Sequence, residues 1–184
     1  MEIKISTQTI LKVLHVLSWI IFVGLCIEAV GILTKTIATL TLNPDDAAKF
    51  WKSVDLTELY RFNQSQYITL SSVIIIVATL KAILFYCIIK VFLNKKLNIA
   101  APFSSLFKDF ILTLTYLSFG IGLFSSWGIE LVNNLSNSGL KLQDIQQLQI
   151  AGADVWLFMG VILLVVTYIF KKGIELQEEN ELTI

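Results

Sequence analysis

Lys81 stands inside an apolar run, with "YITLSSVIIIVATL" before it and "AILFYCII" after it. An ionised lysine at the centre of a membrane helix costs about 2.5–3.5 kcal/mol on insertion scales, so it must be neutral, hydrated or met by an acid. Three acids adjoin other apolar runs: Glu28, Glu130 and Asp154. Glu28 lies deepest, on a helix face with Gly24 and Gly31, two residues that would let a neighbouring helix approach closely. It is the expected partner of Lys81, directly or through water. Glu130 follows Ser126 nearer the polar boundary and completes a candidate intramembrane polar site of Lys81, Glu28 and Glu130. Asp154 opens an apolar segment, where the helix dipole favours an acid that has no further role. A Lys81–Glu28 pair could fix helix packing or line a functional cavity, and the spacing leaves both open.

The remaining reactive side chains carry less. His15 is the one histidine, with no second imidazole at helical spacing, so neither a metal nor a haem site is indicated. Cys26 and Cys87 fall in opposite halves of two apolar segments, too far apart for a bridge. The stretch "TLTYLSFGIGLFSS", Thr113 to Ser126, reads as a tight helix-packing surface. No phosphate loop, nucleophile elbow, zinc spacing or carboxylate pair occurs in the polar segments. The reading is therefore non-enzymatic, with no cofactor and no metal.

What must position these residues is a lipid-embedded scaffold. Of 184 residues, 55% are hydrophobic and 15% charged, with formal net charge zero; the mean hydropathy is +0.75. Soluble domains carry about 25% charged residues. No basic block is long enough for direct nucleic-acid binding. Apolar segments at Ile10–Leu33, Ile68–Leu93, Phe110–Val132 and Val155–Phe170 each approach or exceed the roughly 20 residues that cross a bilayer. In the first, Leu25 stands directly before Cys26 where a lipoprotein cleavage box has a small residue, and no signal cleavage pattern follows, so it is kept as a helix. The expected fold is all-α: one integral membrane bundle of four transmembrane helices, about 8–36, 66–94, 106–134 and 152–176. Asn43, Pro44 and two aspartates then start a short amphipathic helix over 43–62, either a lid over the bundle or an interfacial anchor. The segment "LKLQDIQQLQIAGAD" has helical spacing and should extend the top of the fourth helix. Trp51, Trp127 and Trp156 should mark the outer boundary.

Lysine distribution sets the orientation. With both termini inside, the inner ends hold Lys4, Lys12, Lys90, Lys95, Lys96, Lys108, Lys171 and Lys172; the outer side holds Lys35, Lys49, Lys52, Arg61 and Lys141. Positive charge is retained in the cytoplasm, so a multi-pass protein of the cytoplasmic membrane with both termini cytoplasmic is expected.

The chain ends "IFKKGIELQEENELTI". Gly173 followed by Glu179, Asn180, Glu181, Leu182, Thr183 and Ile184, together with "LKAILFYCIIK" and "APFSSLF", resembles the DUF2975 family of small bacterial four-helix membrane proteins of unknown function. The resemblance implies an inner-membrane location and a partner, a small helix-turn-helix regulator often encoded beside members of that family. The acidic tail, 173–184, should project from the anionic membrane surface. It offers Glu178, Glu179, Asn180, Glu181 and Leu182 as a partner-binding surface, or it is a solvated helix end. Two functional readings follow: a sensory or regulatory membrane protein engaging a cytoplasmic partner, and a small transporter, channel or ligand-binding bundle built on Lys81 and Glu28. Homo-oligomerisation is compatible with both.

Overall fold

The computed structural model describes residues 7–42, 54–93, 104–140 and 142–181. Among these the chain forms α1 (Thr7–Thr41), α2 (Thr57–Phe62), α3 (Gln64–Leu93), α4 (Ser105–Asn137) and α5 (Ala153–Glu181). All but α2 are long and apolar enough to cross a bilayer, giving an all-helical, multi-pass membrane protein. Short polar side chains start the central pair. Asn63 Oδ1 accepts hydrogen bonds from the amides of Ser65 and Gln66 at 3.0 and 3.2 Å, opening α3. Ser104 Oγ accepts from the Phe107 amide at 3.3 Å, opening α4. Gly139, at φ +89°, turns the chain away after α4, a conformation that costs an L side chain about 1–2 kcal/mol.

The four long helices pack in series, α1 on α3, α3 on α4, α4 on α5, and among the described residues no comparable contact joins α1 to α5. The bundle is thus open along one flank, and the two central helices bury the most side-chain surface. Register follows from pairwise contacts. His15 stacks on Phe92 with centroids 5.7 Å apart, and Phe22 meets Tyr86 at 6.1 Å. Along α4, Gly120 and Gly128 lie under Leu80 and Val73 of α3, while Gly122 lies under Leu157 of α5. A Cβ on Gly122 would come within 2.7 Å of Leu157 Cγ and 3.0 Å of the Leu157 amide nitrogen, so only glycine permits this approach. The packing surface expected between Thr113 and Ser126 is found here, with Thr115, Ser118, Ile121, Gly122 and Ser125 all buried.

This register places the start of α5 well inside the bundle. Gly122 against Leu157 and Gly160 against Phe119 set Ala153 level with residue 126 of α4, so α4 runs about 16 Å beyond it to Asn137. The linker therefore descends into the bundle, and Leu148 and Ile150 are fully buried. The expected helical extension over "LKLQDIQQLQIAGAD" is not formed: residues 142–152 are turns and irregular chain, with Gln149 in the left-handed region at φ 61°. Helical spacing was misleading because the chain turns sharply at 145–149, with Gln149 at positive φ, which buries both Leu148 and Ile150 in the core and sets Ile150 beside Val73 and Gly128.

Other expectations need adjustment. Of the amphipathic helix expected over 43–62, the described part is helical at Thr57–Phe62 and non-helical at Val54–Leu56, where Val54 and Leu56 turn into the core beside Leu59. Its proposed start at residues 43–53, with Trp51, lies outside the described residues. Gly24 has no heavy atom within 4 Å of a built Cβ, so the close approach expected on its face does not occur there. Trp156 packs against the core at the buried start of α5, whereas Trp127 is exposed. The long helices also run past the expected ends, α1 to Thr41, α4 to Asn137 and α5 to Glu181.

Candidate functional site

Irregular backbone at membrane depth has no water to satisfy its carbonyls, so protein groups must do so. Two lysines from the long helices supply those bonds. Lys81, on α3, donates from Nζ to the carbonyl oxygen of Gln149 at 2.7 Å. Lys35, on α1, is 6% exposed and donates to the carbonyl oxygen of Val54. Each lysine thereby fixes one loop of the capped end, the end opposite the chain termini, to a transmembrane helix.

The two loops are also tied to each other. The Asp55 amide donates to Gln143 Oε1 at 2.7 Å. Asp55 Oδ1 accepts from the Thr57 hydroxyl at 2.7 Å and the Thr57 amide at 3.2 Å, and lies 3.9 Å from Lys35 Nζ. The Thr57 hydroxyl, then its amide and the Lys35 charge, hold the Asp55 carboxyl below the usual carboxylate range against the opposing effect of partial burial. Beneath this latch is a cavity of about 10 Å³, room for about one water, lined in part by Lys35, Thr39, Thr57 and Ser71. Ser71 Oγ is fully enclosed there and has no hydrogen-bond partner among the described residues.

The sequence-derived site is only partly assembled. Register sets Glu28 at the depth of Lys81, each within range of the other's charge, but no direct ion pair forms between them. Lys81 is committed to the loop carbonyl, a partner that no side-chain inventory contains. Glu130 is exposed and lies about 15 Å farther toward the capped end than Lys81, so it does not join them. Asp154 sits in the first turn of α5, as the dipole argument expects. His15 accepts a 2.8 Å hydrogen bond at Nε2 from Trp19 Nε1 while stacking on Phe92. Both cysteines are free thiols, and among the described residues no three His, Cys, Asp or Glu side chains cluster. At the other end α5 stays helical through Glu181, with Glu178, Glu179 and Asn180 exposed; Leu182 lies outside the described residues.

Sequence reasoning missed Lys35, Asp55, Gln143 and Gln149. Lys35 was counted as an outer-loop charge, yet Gly31, Ile32, Lys35 and Thr39 form one buried helical face. That continuing period was the available signal. For Gln149 the signal was Leu148 and Ile150, two apolar residues in a polar linker, followed by the helix start at Ala153. A scan against protein-family models, and searches of curated proteins and of solved structures, return no match.

Proposed function

We propose that this chain is a non-catalytic sensory or regulatory membrane protein that engages a soluble cytoplasmic partner through the acidic end of α5. The observation that carries this reading is the continuity of α5. One unbroken helix runs from Ala153, beside the buried residues of the cap, to Glu181 in the acidic tail. A change at the cap, where Lys81 holds Gln149, is thus transmitted along a rigid element to the far side of the membrane. The capped half is also filled by Leu59, Leu70, Ile74, Leu148 and Ile150, all at 0–1% exposure, which favours a packed device over a passage.

The tail's chemistry defines the partner. Glu175, Glu178, Glu179 and Glu181 follow Lys172 with no basic residue among them. Such a surface suits a basic soluble protein, and the resemblance described above suggests a small helix-turn-helix regulator. Deleting Glu179–Ile184 should abolish co-purification of that partner while leaving the protein inserted and thermally stable; binding to the full chain should weaken as salt rises. Retention of every partner by the truncated protein would refute the tail as the docking site.

One observation favours the alternative of a ligand-binding or transport bundle: Glu28 and Lys81 sit at one depth, each only partly buried. A ligand using them must compete with the Gln149 carbonyl for Lys81. Lys81→Met should therefore abolish uptake or ligand binding under that reading, and alter partner binding under the leading one.

A further inference from the structure

At the end of the bundle that carries the termini, α4 and α5 part to leave a groove of about 390 Å³ lined by Lys108, Leu112, Leu164, Thr167, Tyr168 and Lys171. The register that sets Gly122 on Leu157 sets Lys108 level with Lys171 across this groove. Both lysines mark the edge of apolar sequence: Lys108 lies just before the run from Phe110, and Lys171 directly follows Phe170. Two cations therefore stand at headgroup depth on either side of an apolar slot that faces lipid.

From this geometry we infer a binding site for one anionic phospholipid, its phosphate between Lys108 and Lys171 and an acyl chain along Leu112 and Leu164. Basic pockets between membrane helices are suited to such headgroups. Among the described residues no acid lines this groove, whereas the neighbouring groove between α3 and α4 contains Asp109 beside Lys90. Local acids compete weakly for the two cations. Lys108 meets Asp109 at 3.3 Å, but that carboxylate is 66% exposed. Glu175 lies 4.0 Å from Lys171 and is already hydrogen-bonded by Lys172 at 2.6 Å. The Thr167 hydroxyl is turned to the Leu163 carbonyl at 2.8 Å, so its proton is already engaged within α5. Tyr168, 61% exposed, supplies the aromatic ring expected at the interface.

The test is native mass spectrometry of the full-length protein released from nanodiscs containing equal phosphatidylglycerol and phosphatidylcholine. The wild type should retain one phosphatidylglycerol in preference to phosphatidylcholine. Each lysine near an anionic headgroup is worth about fivefold in affinity, so Lys108→Gln with Lys171→Gln should reduce the preference by about 25-fold. The corresponding double arginine variant should keep it, as should Lys12→Gln. Leu164→Trp, which fills the slot and leaves both charges, should also lose the bound lipid. Equal retention of both lipids by the wild type overturns the site. So does phosphatidylglycerol preference surviving in either the double glutamine variant or Leu164→Trp.

Discussion

At the scale of single residues, the functional question turns on what an intramembrane cation bonds to. Lys81 ends on a main-chain carbonyl, so Lys81→Met removes a hydrogen bond from a charged donor and should destabilise the protein by about 1.5–3 kcal/mol. Glu28 shares the depth but not the bond. The coupling between Lys81→Met and Glu28→Gln in a thermal-unfolding double-mutant cycle should accordingly stay below about 1 kcal/mol; removing one member of a dry buried pair would cost 3–5. A coupling of that size would restore the direct ion pair. Asp55 behaves in the opposite sense to a buried cation. Its carboxyl titrates below the ordinary value because the ionised form accepts from Thr57. Its contribution is then fully present above the unfolded value of about 3.9 and is lost as pH falls through the lower folded value. Hydrogen exchange at the Thr57 amide should be constant in protection from neutral pH to about pH 4 and weaken below it. Asp55→Asn, which keeps an acceptor oxygen without the charge, should remove that acid dependence. Persistence of the same dependence in Asp55→Asn would assign it to another group.

At the scale of elements, the four apolar helices were legible in the sequence because lipid forces each to satisfy its own backbone bonds, so long apolar runs have one solution. The loops were not legible, for a related reason. Leu148 and Ile150 carry a signal of burial but none of depth, and the descent of 142–152 depends on where α5 docks against α4. Of the two glycines expected to admit a neighbouring helix, Gly31 is buried and Gly24 is not: glycine content shows where helices are able to meet, and tertiary packing selects which site is used. Two substitutions separate these cases. Gly122→Ala forces a Cβ to 2.7 Å from Leu157 Cγ and 3.0 Å from its backbone nitrogen, so α4 and α5 must separate, at a cost of about 1–3 kcal/mol. Gly24→Ala meets nothing within 4 Å and removes a glycine from a helix interior, which should leave stability unchanged or raise it by up to about 1 kcal/mol. Melting temperatures of the two variants in one detergent decide the matter; equal losses would mean that α1 makes a contact on the Gly24 face.

At the scale of the whole molecule, the structure sharpens the charge argument for orientation. Lys35 is buried in the wall of the bundle and bonded to Val54, so it is no longer a loop charge, and the outer set falls from five residues to four: Lys49, Lys52, Arg61 and Lys141. Eight lysines remain at the end that carries the termini. We propose, from the retention of positive charge on the cytoplasmic side, that this end, with the acidic helix of α5 and the Lys108–Lys171 groove, lies inside the cell. Under that proposal the cap formed by Val54–Phe62 and residues 142–152 faces outward. Single cysteines at Ser138 and Asn180, both exposed, report the two ends of the bundle in a Cys26→Ala, Cys87→Ala background. In intact cells an impermeant thiol reagent should label the Ser138 position at once and the Asn180 position only after the membrane is opened. The reverse pattern would invert the protein, exposing the acidic helix end to the exterior and removing it from any soluble cytoplasmic partner.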